Sequence, residues 1–313
     1  MTTSTTTIHD WHFATDETPS LHLRCHHADV RVVHDAAPGE VAIQVQATAA
    51  FSPDLIETRS QGREIFVTVP PLLNQNDSGF GIALQFGRLS WGLGSINRVS
   101  IEVHLSPDAD VEVHAEGGDI TCEGRSGRAQ LQTGGGDIRL EQAASAQAVT
   151  QGGDISADGI DKAELRTGGG DIRVVRIGEG SVKTGGGDVR LDDLGSGRIE
   201  TGGGDIHVQR AGGDLAVNTG GGDVTLLHCP GETDVRTGAG DVTVEAASGS
   251  VNIKTGAGDI HVTVPAEVPV WQDLHSSFGE VVSRIGSRGE PADGQPYIRV
   301  TARTGTGDVV LTS

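Results

Sequence analysis

Aromatic residues make up only 3% of this 313-residue chain, and no apolar stretch is long enough to span a bilayer. The scarcity of large rings argues against a broad globular core and favours a narrow interior filled by Val, Ile, Leu and Ala. Basic residues are also in short supply, since 23 Lys and Arg stand against 43 Asp and Glu and give a formal net charge of -20. Nucleic acids and anionic membranes bind positive surfaces, so we expect neither of them as a partner, and no membrane insertion.

The chain also contains few cysteines, and its first residues lack the pattern of a targeting signal. Cys25, Cys122 and Cys229 are an odd number and form no metal motif, so we expect buried free thiols. The first 20 residues contain Asp10, Asp16 and Glu17 instead of a basic start and an apolar run. No secretory signal is readable there, and we expect a cytoplasmic protein. Glycine is abundant, with 47 residues, but it follows no G-X-Y period, which excludes collagen.

The chain does have a short phrase, Thr-Gly-Gly-Gly-Asp-Ile or a near copy, that recurs every 17 or 18 residues. The Asp residues of its regular copies are Asp119, Asp137, Asp154, Asp171, Asp188, Asp205, Asp223, Asp241 and Asp259. Degenerate copies at Glu280 and Asp308 bring the total to eleven. Self-similarity at a fixed period of this length is typical of a solenoid, in which each repeat forms one coil.

The residues after each Asp alternate between apolar and polar, as in Ile138, Arg139 and Leu140. This period of two predicts a β-strand, and a coil of 17 or 18 residues leaves no room for an intervening helix. We therefore predict an all-β parallel β-helix, or β-solenoid, of about eleven coils preceded by irregular β coils. The apolar columns are expected inside and stacked, as at Ile172 and Ile206, with Arg173 and its equivalents exposed.

The organisation that follows is a single solenoid domain, because a solenoid grows in one dimension and can remain one body. The expected segments are an N-terminal tail 1–20, the domain 21–313, irregular first coils and a cap 21–115, regular coils 116–264 and degenerate last coils 265–313.

Two segments interrupt the pattern. Residues 72–94 combine many glycines with the apolar side chains Phe80, Leu84, Phe86, Leu89 and Trp91. This segment either covers the open end of the core, which we favour, or forms a protruding interaction loop that contacts a partner. Residues 284–296 are expected to loop out between the last two copies. Their charges and prolines suit a protector of an exposed strand edge, so we expect a monomer.

The run from Val99 to Ser313, with its lead-in VSIEVHLSPDADVEVHAEGGDITC followed by serial coils, resembles the bacterial putative-adhesin family of β-strand-repeat domains of unknown function. The irregular strands from Leu21 onward are similar to the opening of that family. The resemblance implies a right-handed parallel β-helix, and the family name suggests adhesion.

The repeated Asp residues are the sharpest candidate for a site. Stacked at ~4.8 Å, neighbouring carboxylates repel by roughly 1 to 3 kcal/mol, so something must offset the charge. One interpretation is that the Asp residues are structural, and that each accepts hydrogen bonds from backbone N–H groups of its own turn. The alternative is a row of calcium sites at Asp137, Asp154, Asp171, Asp188, Asp205, Asp223, Asp241 and Asp259. Calcium-binding β-rolls carry a spacer residue before the Asp that this phrase lacks.

The remaining residue patterns are weaker candidates for a functional site. The Thr before each Gly run lies on the same side as the inward Leu131 column, which predicts a buried hydroxyl ladder. Six histidines near the start are expected to be solvated: His9, His12, His22, His26, His27 and His34. No set of residues converges as a catalytic site does, and no cofactor motif is present.

The function predicted from these patterns is a non-catalytic β-solenoid scaffold or binding module whose ligand is an unidentified protein or carbohydrate. The alternatives are a carbohydrate-active β-helix enzyme and a calcium-binding protein of the β-roll kind. A groove with convergent carboxylates and aromatic platforms would favour the enzyme.

Overall fold

The computed structural model describes residues 7–47, 52–71, 99–245, 247–285 and 297–313. It is an all-β structure in which parallel strands dominate, and its one helical element is the 3-10 turn Pro53–Leu55. The predicted fold class is confirmed. None of the described helical residues forms a helix long and apolar enough to cross a membrane. The chain divides into two compact units, Met1–Gly136 and Asp137–Ser313.

Eight strands lie in the described part of the first unit. They are β1 (Thr7–Ala14), β2 (Ser20–Val33), β3 (Glu40–Ala47), β4 (Glu57–Gln61), β5 (Glu64–Val69), β6 (Val99–His104), β7 (Asp110–Gly117) and β8 (Ile120–Thr133). The expected N-terminal tail therefore contains a strand, because β1 alternates between half-buried and exposed residues and pairs with β3.

Strand order in space differs from chain order in this unit. The first half of β2 lies between β5 and β7, and its second half lies between β6 and β8, with all four pairings parallel. Antiparallel pairs occur where β3 joins β1 and β6 and where β4 joins β5. The irregularity expected before the regular coils is thus a mixture of parallel and antiparallel pairing.

The second unit contains the regular coils. Its strands are β9 (Ile138–Thr150), β10 (Ile155–Thr167), β11 (Ile172–Thr184), β12 (Val189–Thr201), β13 (Ile206–Ala211), β14 (Leu215–Thr219), β15 (Val224–Leu226), β16 (Thr233–Thr237), β17 (Val242–Val244), β18 (Val251–Ala257), β19 (Ile260–Thr263), β20 (Val270–Phe278), β21 (Val281–Ser283), β22 (Ile298–Thr306) and β23 (Val309–Thr312). Equivalent residues pair in parallel, so that Ile155 lies beside Ile138 on one side and Ile172 on the other.

The last coil in the chain is not the last coil in the stack. Strands β22 and β23 lie between β18–β19 on one side and β20–β21 on the other. The order of the copies along the chain would place the coil at Asp308 after the coil at Glu280, but the chain returns and inserts the Asp308 coil between β18–β19 and β20–β21. Residues 270–283 form the outer coil instead, which explains why Trp271 is 47% exposed and Phe278 is 79% exposed.

The core consists of the predicted apolar columns. Ile138, Ile172, Val189, Ile206 and Val224 are buried at successive levels, while Arg139, Arg173 and Arg190 beside them are exposed. The column six residues after the Asp is also buried, as Ile160 and Leu194 show. Alternation along each strand therefore decides which side chains fill the narrow interior.

Candidate binding surfaces

In most repeats the Thr joins two coils through its hydroxyl group, whereas Thr237 donates to the Ala239 carbonyl oxygen of its own turn. Thr167 Oγ1 donates to the carbonyl oxygen of Gly153 in the preceding coil at 2.8 Å and accepts from the N–H of Gly170 in its own turn at 3.1 Å. Thr184 repeats both contacts one coil further on, and both threonines are buried. The predicted internal hydroxyl ladder is confirmed, and burial of these threonines keeps their hydroxyl groups away from a ligand at the surface.

Each Asp also joins two coils. Its Oδ1 accepts the backbone N–H of the equivalent Asp in the next coil, as in Asp171 to Asp154 at 2.8 Å and Asp188 to Asp171 at 2.8 Å. The prediction that the carboxylate serves its own turn is wrong in this detail, since the donor lies one coil away. The same contact extends through Asp308 to Glu280, so the degenerate copies preserve it.

The hydrogen bonds offset the repulsion between stacked carboxylates. A bond from an N–H to a charged group contributes about 1.5–3 kcal/mol, which matches the roughly 1 to 3 kcal/mol of repulsion between neighbours. Arg173 adds ion pairs to Asp171 at 2.6 Å and Asp154 at 3.5 Å. Within the described ranges, no group of three or more His, Cys, Asp or Glu is placed to hold a metal ion. The ladder thus has a structural role of its own, and the calcium row stays a prediction.

The three glycines of the phrase are not equivalent. A Cβ added at Gly187, the third glycine, would lie 2.1 Å from the carbonyl oxygen of Gly170, whereas a Cβ at Gly186 would meet nothing within 4 Å. The repeats agree with this difference, because the third position is Gly in all eleven copies while Ala239, Thr306 and Phe278 occupy the middle one. The middle residue faces outward and tolerates a side chain.

A shallow groove of about 280 Å³ follows the outer side of β9 to β12. One wall carries Arg139, Arg173 and Arg190, with the smaller Ser156 between the first two, and the other wall carries Asp158, Val175 and Asp192. Within the part of the chain that the structure describes, the guanidinium groups of Arg139 and Arg190 make no ion pair or hydrogen bond. The groove therefore offers charge of both signs to a ligand.

A second depression, of about 640 Å³, lies where β16, β18 and the start of β22 meet, and we call it the Tyr297 hollow. Its described lining is Glu232, Ser250, Val251, Asn252, Tyr297, Arg299 and Thr301. Tyr297 is 43% exposed, and the Arg299 guanidinium lies over the Trp271 ring at 5.3 Å from its centroid. This volume lies within the range of small-ligand sites.

The first unit contains a cluster around His22. Its Nδ1 contacts Glu112 Oε2 at 2.7 Å, its Nε2 contacts Glu64 Oε2 at 2.5 Å, and its ring stacks on Phe66 with centroids 4.7 Å apart. The hydrogen bond from His22 holds the pKa of Glu64 below its ordinary value. His22, Glu64 and Glu112 come from β2, β5 and β7, so their contacts hold these three strands together. The prediction that His22 is simply solvated is therefore wrong.

His34 also departs from the solvated interpretation. It is buried, its Nδ1 contacts the Ser106 carbonyl oxygen at 3.0 Å, and its Nε2 contacts Ser126 Oγ at 2.8 Å. Desolvation lowers its pKa, although the Ser106 bond and nearby acids act in the opposite direction. The neutral ring, with Nδ1–H donating and Nε2 accepting, satisfies both partners.

All three cysteines are buried free thiols, as predicted. Burial raises the pKa of Cys25 and Cys122 to about 12 and that of Cys229 to about 11. Such thiols are protonated at neutral pH and are poor nucleophiles. The predicted interaction loop, with Phe80, Leu84, Phe86, Leu89 and Trp91, lies outside the described residues.

Comparison with known proteins decides the family. Residues 20–312 match the model of the Toastrack DUF4097 domain. The chain belongs to the Toastrack DUF4097 family. The domain accounts for nearly the whole sequence, and it is a domain of unknown function, so the family assignment names a fold and leaves the ligand open.

Three solved structures similar to this Toastrack chain come from Parabacteroides distasonis and Bacteroides fragilis. A putative adhesin from Parabacteroides distasonis ATCC 8503 is 10% identical over 98% of this chain and 97% of its own, with a TM-score of 0.38. A putative adhesin from Bacteroides fragilis NCTC 9343 is 12% identical over 97% of both chains, with a TM-score of 0.32. A putative lipid binding protein from P. distasonis ATCC 8503 is 13% identical over 96% of both chains, also at 0.32. No curated protein matches the Toastrack chain.

Sequence reasoning missed the Tyr297 hollow. Glu232, Asn252 and Tyr297 lie far apart in the chain, and the coil that carries Tyr297 is inserted out of order. The signal available was the break in the repeat, because Tyr297 is the only tyrosine and Trp271 is one of three tryptophans in the chain.

Proposed function

We propose that this protein is a non-catalytic binding module built on a β-solenoid scaffold. One observation carries the proposal: the polar residues that recur in every coil are used in bonds between coils. Thr167 and Asp171 exemplify this use, since each contacts a backbone group of a neighbouring coil. Side chains free to contact a ligand are therefore those that depart from the repeat.

The two depressions of the second unit support this distinction between residues that join the coils and residues that are available to a ligand. The groove along β9 to β12, which we call the arginine groove, carries Arg139, Arg173 and Arg190, whereas the equivalent residue is Ser156 within this run and Thr121 and His207 in the copies before and after it. The Tyr297 hollow depends on an aromatic residue in a chain that is poor in aromatics. Residues required only by the coil would recur at every level, so these departures are better explained by a ligand than by folding.

A carbohydrate-active enzyme is the second candidate, and one observation favours it. Asp158 and Asp192 lie on the same wall of the groove, two strands apart, which corresponds to ~9.6 Å between backbones at ~4.8 Å per strand. Inverting glycosidases hold their two carboxyl groups about 6.5–9.5 Å apart. A catalytic acid also requires an apolar, desolvated setting, and Asp158 is exposed to solvent. We therefore rank binding above hydrolysis.

Residues 72–94 remain a proposed interaction segment, since their five large apolar side chains would suit either a cover or a contact with a partner. We also propose that the protein is a monomer, because a net charge of -20 opposes self-association. Static light scattering at low and high salt tests this second point, and a dimer at both ionic strengths would contradict it.

The proposed function is tested by affinity capture from a native bacterial lysate. The baits are the wild-type protein, a deletion of residues 72–94 and the double variant Arg139→Ala/Arg190→Ala. We expect the wild type to retain a specific component that at least one variant loses while its circular dichroism is unchanged. Equal retention by all three baits would contradict a ligand site at either surface, and turnover of a polysaccharide that Asp158→Asn abolishes would support the enzyme.

A further inference from the structure

The Tyr297 hollow combines three features of a recognition site. It has an exposed aromatic ring at Tyr297, an immobilised planar cation at Arg299, and uncharged polar side chains at Ser250, Asn252 and Thr301. These residues come from neighbouring coils, in which Asn252 pairs with Thr301, and the combination with a tyrosine occurs once because Tyr297 is the only tyrosine of the chain. No requirement of the coil itself explains it.

Arg299 is held in place before any ligand arrives. Its guanidinium lies 5.3 Å from the centroid of the Trp271 ring, and its Nη2 donates to Tyr297 Oη at 3.2 Å. An arginine that is free in solvent loses rotamer freedom when it binds, whereas a stacked one has already lost it. The exposed Trp271 is thereby explained as the support of Arg299.

Asn252 is oriented in a similar way. Its amide nitrogen donates to Asp234 Oδ2 at 2.9 Å, which leaves its carbonyl oxygen as an acceptor toward the hollow. Asp234 is itself paired with Arg236, with the Arg236 Nε 3.1 Å from Asp234 Oδ1. The negative charge nearest to Asn252 is therefore compensated within the scaffold.

Among the described residues that line the hollow the charges balance, because Glu232 and Arg299 supply one of each sign. A polyanion would need several cations, and a peptide anchored by apolar side chains would need an apolar pocket. A sugar ring suits the lining better. Its hydroxyl groups both donate and accept, so they can pair with Glu232, Asn252 and Arg299, and its C–H face can lie on the Tyr297 ring.

We propose that the Tyr297 hollow binds an uncharged sugar residue of a glycan, with the ring face on Tyr297 and the hydroxyl groups on Arg299, Asn252 and Glu232. This inference rests on the proposed binding function and specifies its ligand class. The remaining polar side chains, Ser250 and Thr301, complete the rim.

The experiment is an array of immobilised neutral, N-acetylated and acidic oligosaccharides, followed by titration calorimetry with the strongest neutral oligosaccharide. We expect the wild type to prefer neutral or N-acetylated glycans, Tyr297→Ala and Arg299→Ala to bind at least about tenfold more weakly, and Tyr297→Phe to retain most of the affinity because it keeps the ring. Glu232→Gln should weaken binding less than Arg299→Ala. Arg166→Ala, which replaces an exposed arginine that lines neither depression, is the matched control and should bind as the wild type does.

Three outcomes would overturn the sugar site: no binding to any neutral glycan, a preference for acidic glycans, or equal affinity of Tyr297→Ala and wild type. Circular dichroism and melting temperature of each variant separate a lost site from a lost fold. If the array fails but lysate capture still retains a protein that Tyr297→Ala releases, the sugar assignment is wrong and the binding function stands. If lysate capture also retains nothing specific, both fail.

Discussion

Two adjacent glycines of one turn, each substituted alone, should show how much packing between coils contributes to stability. Gly187 and Gly186 lie side by side in the turn that precedes Asp188, and both have backbone angles outside the left-handed region. A Cβ at position 187 would lie 2.1 Å from the Gly170 carbonyl oxygen and 2.4 Å from its carbonyl carbon, whereas one at position 186 meets open space. We predict that Gly187→Ala is strongly destabilising and Gly186→Ala is close to neutral.

The size of the expected loss of stability follows from the backbone segments that must move apart. Relief of a contact more than 0.9 Å too short requires the two coils to separate locally, since Gly170 contributes backbone and not a flexible side chain. Separation weakens the bonds from Asp188 N to Asp171 Oδ1 at 2.8 Å and from Thr184 Oγ1 to the Gly170 carbonyl oxygen at 2.8 Å. Overpacking strain and the weakened bonds together predict a loss of about 2–5 kcal/mol in the free energy of unfolding.

Urea unfolding followed by far-UV circular dichroism measures the effect, and hydrogen exchange shows where it lies. Gly187→Ala should lower the free energy of unfolding and expose amides in β11 and β12 first, whereas Gly186→Ala should change stability by less than about 0.5 kcal/mol. Equal effects of the two substitutions would refute the steric argument, because they would make the cost a general property of replacing glycine in this turn.

Three further predictions concern the core, the carboxylates and pH. Ile206→Ala should cost about 2–5 kcal/mol in the free energy of unfolding, because this side chain is 1% exposed, while His207→Ala on the outer face should cost far less. Melting temperatures measured with chelator and with millimolar calcium should agree, because the carboxylates of the repeated Asp residues already accept hydrogen bonds. A large rise in melting temperature with calcium would instead support the row of calcium sites. The lowered pKa of His34 predicts that stability falls as pH drops below the ordinary value of 6.5, because the unfolded chain then binds the proton more readily. The slope is at most about 1.4 kcal/mol per pH unit and ends below the folded-state pKa; an unchanged slope between pH 5 and 6.5 in His34→Gln urea titrations would contradict this origin.

Much of the coil could be predicted from the sequence because the repeat averages out local ambiguity. A single alternation such as Ile138, Arg139 and Leu140 is weak evidence for a strand, but the same alternation at successive levels predicts strand, parity and burial together. The buried Thr column followed from its parity with Leu131, and the structure confirms it. These features depend on contacts between equivalent residues, which a period in the sequence makes visible.

The candidate surfaces could not be predicted in this way. The partner of each Asp was wrongly placed in its own turn, because the sequence alone does not distinguish a neighbouring N–H from one a coil away. The Tyr297 hollow joins Glu232, Asn252 and Tyr297, and their juxtaposition depends on which coil is stacked on which. Residues that depart from a repeat are informative about function, but the repeat does not say where they meet.

The repeat in the sequence specifies the unit of this protein: a coil of 17 or 18 residues, its inward and outward faces, and the turn that Thr, Gly and Asp build. The order of the coils, in contrast, depends on tertiary contacts. Parallel strands in register bond equally well whichever coil they belong to, so nothing local forces β22 and β23 to follow β21 in space as they do in the chain. Long-range pairing places them beside β18 and β19, and that choice leaves β20 as the outer coil, seats Arg299 over Trp271 and opens the hollow beside Tyr297.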